Sequence, residues 1–154
     1  MLKHSRNNVL TTLALSIVCT GFAFAHEGAK GVIKERMDSM KTIAASMKTI
    51  SQMIRKPETF DKAKATEAIA RVSAEAQRTT SLYPSGSLEE PSEARAAIWN
   101  NPDRFRELAK EFELRVSDLA KTITSAQTAD SLIEDFKAVG STCSDCHTEF
   151  RVRK

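Results

Sequence analysis

The sequence is poor in the residues that break helices and in those that build sheets. Of 154 residues only five are glycine and four proline, and aromatics make up 6%. Stretches of alternating β-branched residues are missing, while Ala, Lys and Glu are frequent, which argues against a β-sandwich or barrel and for an all-helical chain. Cysteine is scarce, with three in all, too few for a disulfide-stapled scaffold. Neither sign of charge dominates, since 23 Lys and Arg stand against 20 Asp and Glu. The sequence offers no base–nucleophile pair and no glycine-rich phosphate loop, so no catalytic constellation is expected and the protein is not read as an enzyme.

What is present begins with an address. Lys3 and Arg6 precede an apolar run over residues 9–19, and Ala23-Phe24-Ala25 follows it, the layout of a cleaved secretory signal. Residues 1–25 are expected to be removed, with the mature chain starting at His26. The apolar run is shorter than the ~20 residues of a spanning helix, which disfavours a membrane anchor. Cleavage leaves residues 26–154, enough for one domain, in the periplasm. It takes Lys3 and Arg6 away, so 21 basic residues face 20 acidic ones, a net charge of +1. Nucleic acid is therefore not an implied partner.

Hydrophobic periodicity predicts four long helices. The first, over about 31–54, repeats Ile33, Met37, Met40, Ile43, Met47, Ile50 and Ile54, and Pro57 ends it. A second, over about 59–82, carries Phe60, Ala65, Ile69, Val72 and Ala76. Residues 83–100 read as a long connection with a helical turn near 94–99. Asn101-Pro102-Asp103 opens a third helix, with Asn as cap and a stripe of Phe105, Leu108, Phe112, Val116, Leu119 and Ile123. The last opens near 128–131 and places Leu132, Phe136, Val139, Cys143, Cys146, His147 and Phe150 inward. The expected fold is an antiparallel four-helix bundle, with the first and last helices as neighbours.

The last helix carries the chemistry. Cleavage removes Cys19 and His4, leaving Cys143, Cys146, His147 and His26. A disulfide between cysteines three apart closes a tiny loop and stabilises little. C-x-x-C-H is instead the attachment signature of c-type haem, with two thioethers and an adjacent imidazole on the iron. A thiol oxidoreductase would want its pair at a helix N-terminus, and a structural zinc site needs a fourth ligand. Arg36 falls on or beside the apolar stripe of the first helix. It should meet something anionic, with a haem propionate the candidate, or else snorkel to solvent. Met40 should lie at the same end of the bundle as His147. The two could hold iron from opposite faces, or Met40 could be flexible core filling.

With these residues in hand, the chain resembles the class II c-type cytochromes, cytochrome c′ and its low-spin relative cytochrome c-556. The likeness runs through VIKERMDSM (32–40), IWNNPDRF (98–105) and VGSTCSDCHTEFR (139–151). It implies one haem c per chain, held by Cys143 and Cys146, with His147 as proximal iron ligand and Arg36 on a propionate. It also puts Met40 at the distal position. In c-556 proteins a Met there closes the sixth site, and by resemblance Met40 is a ligand; in cytochromes c′ a crowding residue leaves iron five-coordinate and open to nitric oxide or carbon monoxide. Arg151 matches a basic position over the proximal imidazole. The implied function is a periplasmic one-electron carrier with His/Met-ligated iron, serving periplasmic or membrane-bound redox proteins, as monomer or homodimer. A gas-binding cytochrome c′ is the alternative, and a periplasmic thiol oxidoreductase a more distant one.

Overall fold

A computed structural model describes residues 29–153. The expected signal segment and the mature start at His26 lie outside the described residues. The elements are α1 (Gly31–Arg55), α2 (Lys62–Arg78), a short α3 (Ala97–Asn100), α4 (Pro102–Ser125) and α5 (Ile133–Phe150). Three single 3-10 turns join them, Pro57–Thr59, Thr79–Leu82 and Ala129–Leu132. Among the described residues no helix is long and apolar enough to cross a membrane.

The local starts and stops follow sequence chemistry, with two exceptions. Asp61 caps α2 by accepting from the Lys64 backbone N–H at 3.0 Å, so the helix begins at Lys62 rather than near Thr59, and it tightens into a 3-10 turn over Thr79–Leu82. Pro102 opens α4 as expected of a first-turn proline, yet Asn101 makes no side-chain cap. Gly31, at φ 53°, sits in the left-handed region that favours glycine.

The four long helices form the bundle, and their packing is uneven. Helix α1 packs on α2, α2 on α4, and α4 on α5, while the α1 and α5 backbones lie farther apart and meet through core side chains and the 129–132 turn. The first and last helices share the main core cluster, but theirs is the loosest of the four seams. The start of α1 and the end of α5 do share one end of the bundle, because Arg36 reaches Leu82 at the end of α2 and Tyr83, Phe105 and Phe150 stack in succession there.

The core reflects this split. A main cluster includes Ile43, Ile50, Val72, Val116, Leu119, Ile123, Leu132 and Val139. A smaller one at the α5 C-terminal end joins Ile98, Phe105, Leu108 and Phe150, with Tyr83, Trp99 and Cys146 against it. Most domains bury one contiguous core; here the division falls at the end where the candidate residues lie.

Helix α1 also buries a different line from the one its methionines suggested. Arg36, Ser39, Ser46 and Met53 are buried beside Ile33, Ile43 and Ile50, while Met37, Met40, Met47 and Ile54 are only half-buried. Small serines let α1 approach the alanine-rich α2, where Arg71 donates to Ser46. The methionines are thereby turned towards the other flank.

Candidate functional site

Each helical residue turns the chain by about 100°, so flank assignments follow from known contacts. On α1, Glu35 meets Arg78 of α2 and Ser46 meets Arg71 of α2. Met37, Met40 and Met47 point away from that side. On α5, Asp135 accepts from Thr122 of α4 at 2.5 Å and Glu149 accepts from Arg104 of α4 at 2.9 Å. Phe136, Cys143 and His147 point away from α4. The two sets therefore lie on the flanks bordering the loose seam between α1 and α5. A groove of about 320 Å3 between α2 and α4 lies at the opposite seam and contains none of the candidate residues.

Cys143 and Cys146 are free and half-buried. Cys146 packs against the Phe105–Phe150 aromatic cluster. Burial pushes the Cys143 thiol up; burial, then Cys143 and Glu149 nearby, push Cys146 up to about 11. Thiol–disulfide catalysts need the reverse, a depressed thiol pKa. Both thiols thus stay protonated and apolar at neutral pH.

His147 departs from its expected inward position. It is exposed, whereas Val139, Thr142 and Phe150 are the buried residues of α5. One residue beyond Cys146 carries the imidazole past the buried face to its edge. Partial loss of hydration, then the Arg151 charge, lower its pKa, opposed by Glu93. The neutral imidazole that can ligate a metal is therefore favoured.

Arg36 is 4% exposed, and every N–H it owns is used. Its Nε donates to the Leu82 carbonyl at 3.1 Å and Nη2 to the same oxygen at 2.9 Å. Nη2 also reaches Ser87 Oγ at 2.8 Å, while Nη1 reaches the Ser87 carbonyl at 3.3 Å and Ser92 Oγ at 2.8 Å. The guanidinium lies 4.0 Å from the Tyr83 ring centroid, close enough for a cation–π contact. Burial, against a smaller effect of Tyr83, lowers its pKa. It neither snorkels nor meets an anion within the described chain; neutral oxygens of the connection surround it.

Tyr83 shares that burial. Desolvation outweighs the Arg36 cation and raises its phenol from 10.0 to about 12. A folded pKa above the unfolded one means the stabilisation is whole below about pH 10 and is lost as pH climbs from there towards 12. This is the only tyrosine of the chain, so ultraviolet titration reads it alone. Phenolate should appear near pH 12 in the folded protein and near pH 10 in denaturant; a midpoint near 10 in both would contradict the burial.

The exposed Arg151 pairs with Glu93, whose Oε2 accepts from Nη2 at 2.6 Å and Nε at 2.9 Å. Trp99 donates from Nε1 to the Tyr83 and Pro84 carbonyls, closing the bundle end. Ser87, Ser92 and Glu93 were not singled out from sequence. They lie in an aperiodic Ser, Glu and Pro stretch, and their partners are more than 50 positions away.

The residues on this seam fit a covalent haem. Two apolar thiols and a neutral imidazole follow one another on α5, three half-buried methionines lie on the flank of α1 turned away from α2, and the seam between the two helices is the loosest of the bundle. Comparisons with known proteins agree. The family model described as Cytochrome C′ matches residues 31–151. Cytochrome c-556 of Agrobacterium fabrum is 25% identical over 146 residues, 95% of each chain. Cytochrome c′ of Pararhodospirillum photometricum is 29% identical over 125 residues, 77% of this chain and 94% of that one. Among solved structures, cytochrome c prime from Shewanella frigidimarina superposes with a TM-score of 0.73 at 22% identity, covering 79% of this chain and 94% of that one. The family's cofactor is one covalent haem c per chain. With its model running from the first turn of α1 through the C-x-x-C-H turn of α5, the chain belongs to the cytochrome c′ family.

Proposed function

We propose that the chain is a periplasmic single-haem cytochrome in which Cys143 and Cys146 form the thioethers and His147 is the proximal iron ligand. The observation that carries this is the placement of C-x-x-C-H on α5 beside the loosest seam of the bundle, between α1 and α5. A haem held there supplies a one-electron iron couple and, where its sixth position is open, a site for a diatomic gas. The chain's own part is to exclude water with the Met37, Met40 and Met47 flank and to keep the His147 imidazole neutral. Arg36 is the cation for a haem carboxylate, which would take over one of the hydrogen bonds now accepted by a serine. Its partners are other redox proteins of the same compartment, met as a monomer or a homodimer.

The distal side belongs to Met40. The better supported reading is the gas-binding one, in which Met40 crowds the distal face and iron stays five-coordinate towards nitric oxide or carbon monoxide. It rests on the cytochrome C′ family match, on the c′ relative, and on the packing of half-buried Met40 against the main core cluster. The His/Met low-spin carrier is the second reading, favoured by the c-556 relative that spans 95% of the chain.

One experiment separates them: absorption spectra of the oxidised, reduced and carbon monoxide-treated reduced protein, for wild type and Met40→Ala. The gas-binding reading expects a high-spin wild type that takes carbon monoxide, with Met40→Ala taking it faster. A low-spin wild type that is indifferent to the gas and turns high-spin in Met40→Ala would replace it with the second reading.

A further inference from the structure

Two successive residues of the 83–96 connection touch both sides of the candidate site. Ser92 Oγ accepts from Arg36 Nη1 at 2.8 Å, and Arg36 lies one turn before Met40 on α1. Glu93 is the acceptor for Arg151, which lies one turn after His147. The connection then runs on as a short antiparallel bridge to the tail of α5, pairing Ala94 with Arg151. The Val152 N–H donates to the Glu93 carbonyl at 2.8 Å and the Arg95 N–H to the Phe150 carbonyl at 2.9 Å. Arg95 Nη1 adds a bond to the Glu149 carbonyl at 2.9 Å. The two Arg95 bonds occupy the Phe150 and Glu149 carbonyls, which the last turn of α5 would otherwise leave unsatisfied.

We propose that Ser92-Glu93 is a positioning brace that fixes the cation before Met40 and the cation after His147 relative to each other, making the connection a working part of the haem site. This rests on the reading of Met40 and His147 as its distal and proximal residues. Neither Ser92 nor Glu93 touches the reacting iron; both act through an arginine. Opposed charges suit this role. Arg36 faces only neutral oxygens and so needs a hydroxyl, whereas the exposed Arg151, beside Glu93 at 24% side-chain exposure, takes a carboxylate.

The test uses the haem-loaded protein with Glu93→Gln, Arg151→Gln, the double variant, and Ser92→Ala. A reduction potential is measured for the first three against wild type, as a double-mutant cycle. If Glu93 acts by positioning Arg151, its substitution shifts the potential at least about twice as much in the wild type as in the Arg151→Gln background. Equal shifts in both backgrounds would mean Glu93 is only a distant charge and would overturn the proposal. Hydrogen exchange at the Val152 and Arg95 amides supplies a readout independent of the iron. Both Ser92→Ala and Glu93→Gln should speed it, Ser92→Ala by about tenfold, since a hydrogen bond to a charged group is worth about 1.5 kcal/mol or more. Wild-type exchange in Ser92→Ala would show two unconnected contacts instead of one brace, and would overturn the proposal as well. Failure of the underlying haem reading would look different, as a wild-type protein with no iron couple to measure.

Discussion

Serine at both Cys143 and Cys146 is expected to abolish covalent haem attachment while leaving a helical chain. The hydroxyl is close to the thiol in size but adds no thioether. Neither cysteine is among the fully buried residues that make up the main cluster. The thiols also take no part in a disulfide, so no cross-link is lost from the fold. Their burial and raised pKa values mean that little charge energy is invested in them. Denaturing gels stained for haem peroxidase activity should show a band for the wild type and none for the double variant. Single Cys→Ser variants keep one thioether and should give a weaker band. A stained band surviving in the double variant would mean the haem is attached elsewhere.

Arg36→Leu, at a buried position, is expected to destabilise the fold strongly. Leucine removes all five donors from a residue that is 4% exposed and strands the Leu82 and Ser87 carbonyls. Each buried acceptor left without a partner costs about 1–3 kcal/mol, partly offset because an unpaired buried cation no longer has to be desolvated. A net loss of about 3 kcal/mol follows, which for a domain of this size lowers Tm by about 10 °C. Arg36→Lys keeps the charge but has three donors on a flexible stem and no planar fork, so it should recover only part of the loss. Thermal melts by circular dichroism measure both. An unchanged Tm in Arg36→Leu would mean that the connection is held by Trp99 and the aromatic cluster without help from the guanidinium.

These two residues sets also mark what the sequence made legible. Helix number, the up-and-down order and the end shared by Met40 and His147 follow from periodicity and from the helix breaks between stripes, both local properties. C-x-x-C-H was readable because its chemistry depends on spacing within one helical turn. The buried face of α1 was less legible: hydrophobicity alone selects Met37, Met40, Met47 and Ile54, but tight packing on α2 rewards small Ser39 and Ser46 instead. That rotation is what frees the methionines for the seam. The position of His147 was misjudged by one residue's turn, since an i, i+1 pair does not share a face. Partners of Arg36 and Arg151 were out of reach, because they depend on how residues 82–93 fold back over the bundle end, and no periodic pattern encodes that path. Periodicity also said nothing of which seam would be loosest; that emerges from three tight interfaces and one flanked by the turn at Ala129–Leu132.

The central claim is that the last turns of α5 carry a haem bonded to Cys143 and Cys146. Its most direct measurement is the intact mass of the purified protein before and after extraction with acidic acetone, which strips haem that is not covalently held. The account predicts the polypeptide plus one haem in both samples, with the added mass found on the tryptic peptide containing Cys143 and Cys146. The mass of the bare polypeptide after extraction, or a haem mapped to any other peptide, would contradict it.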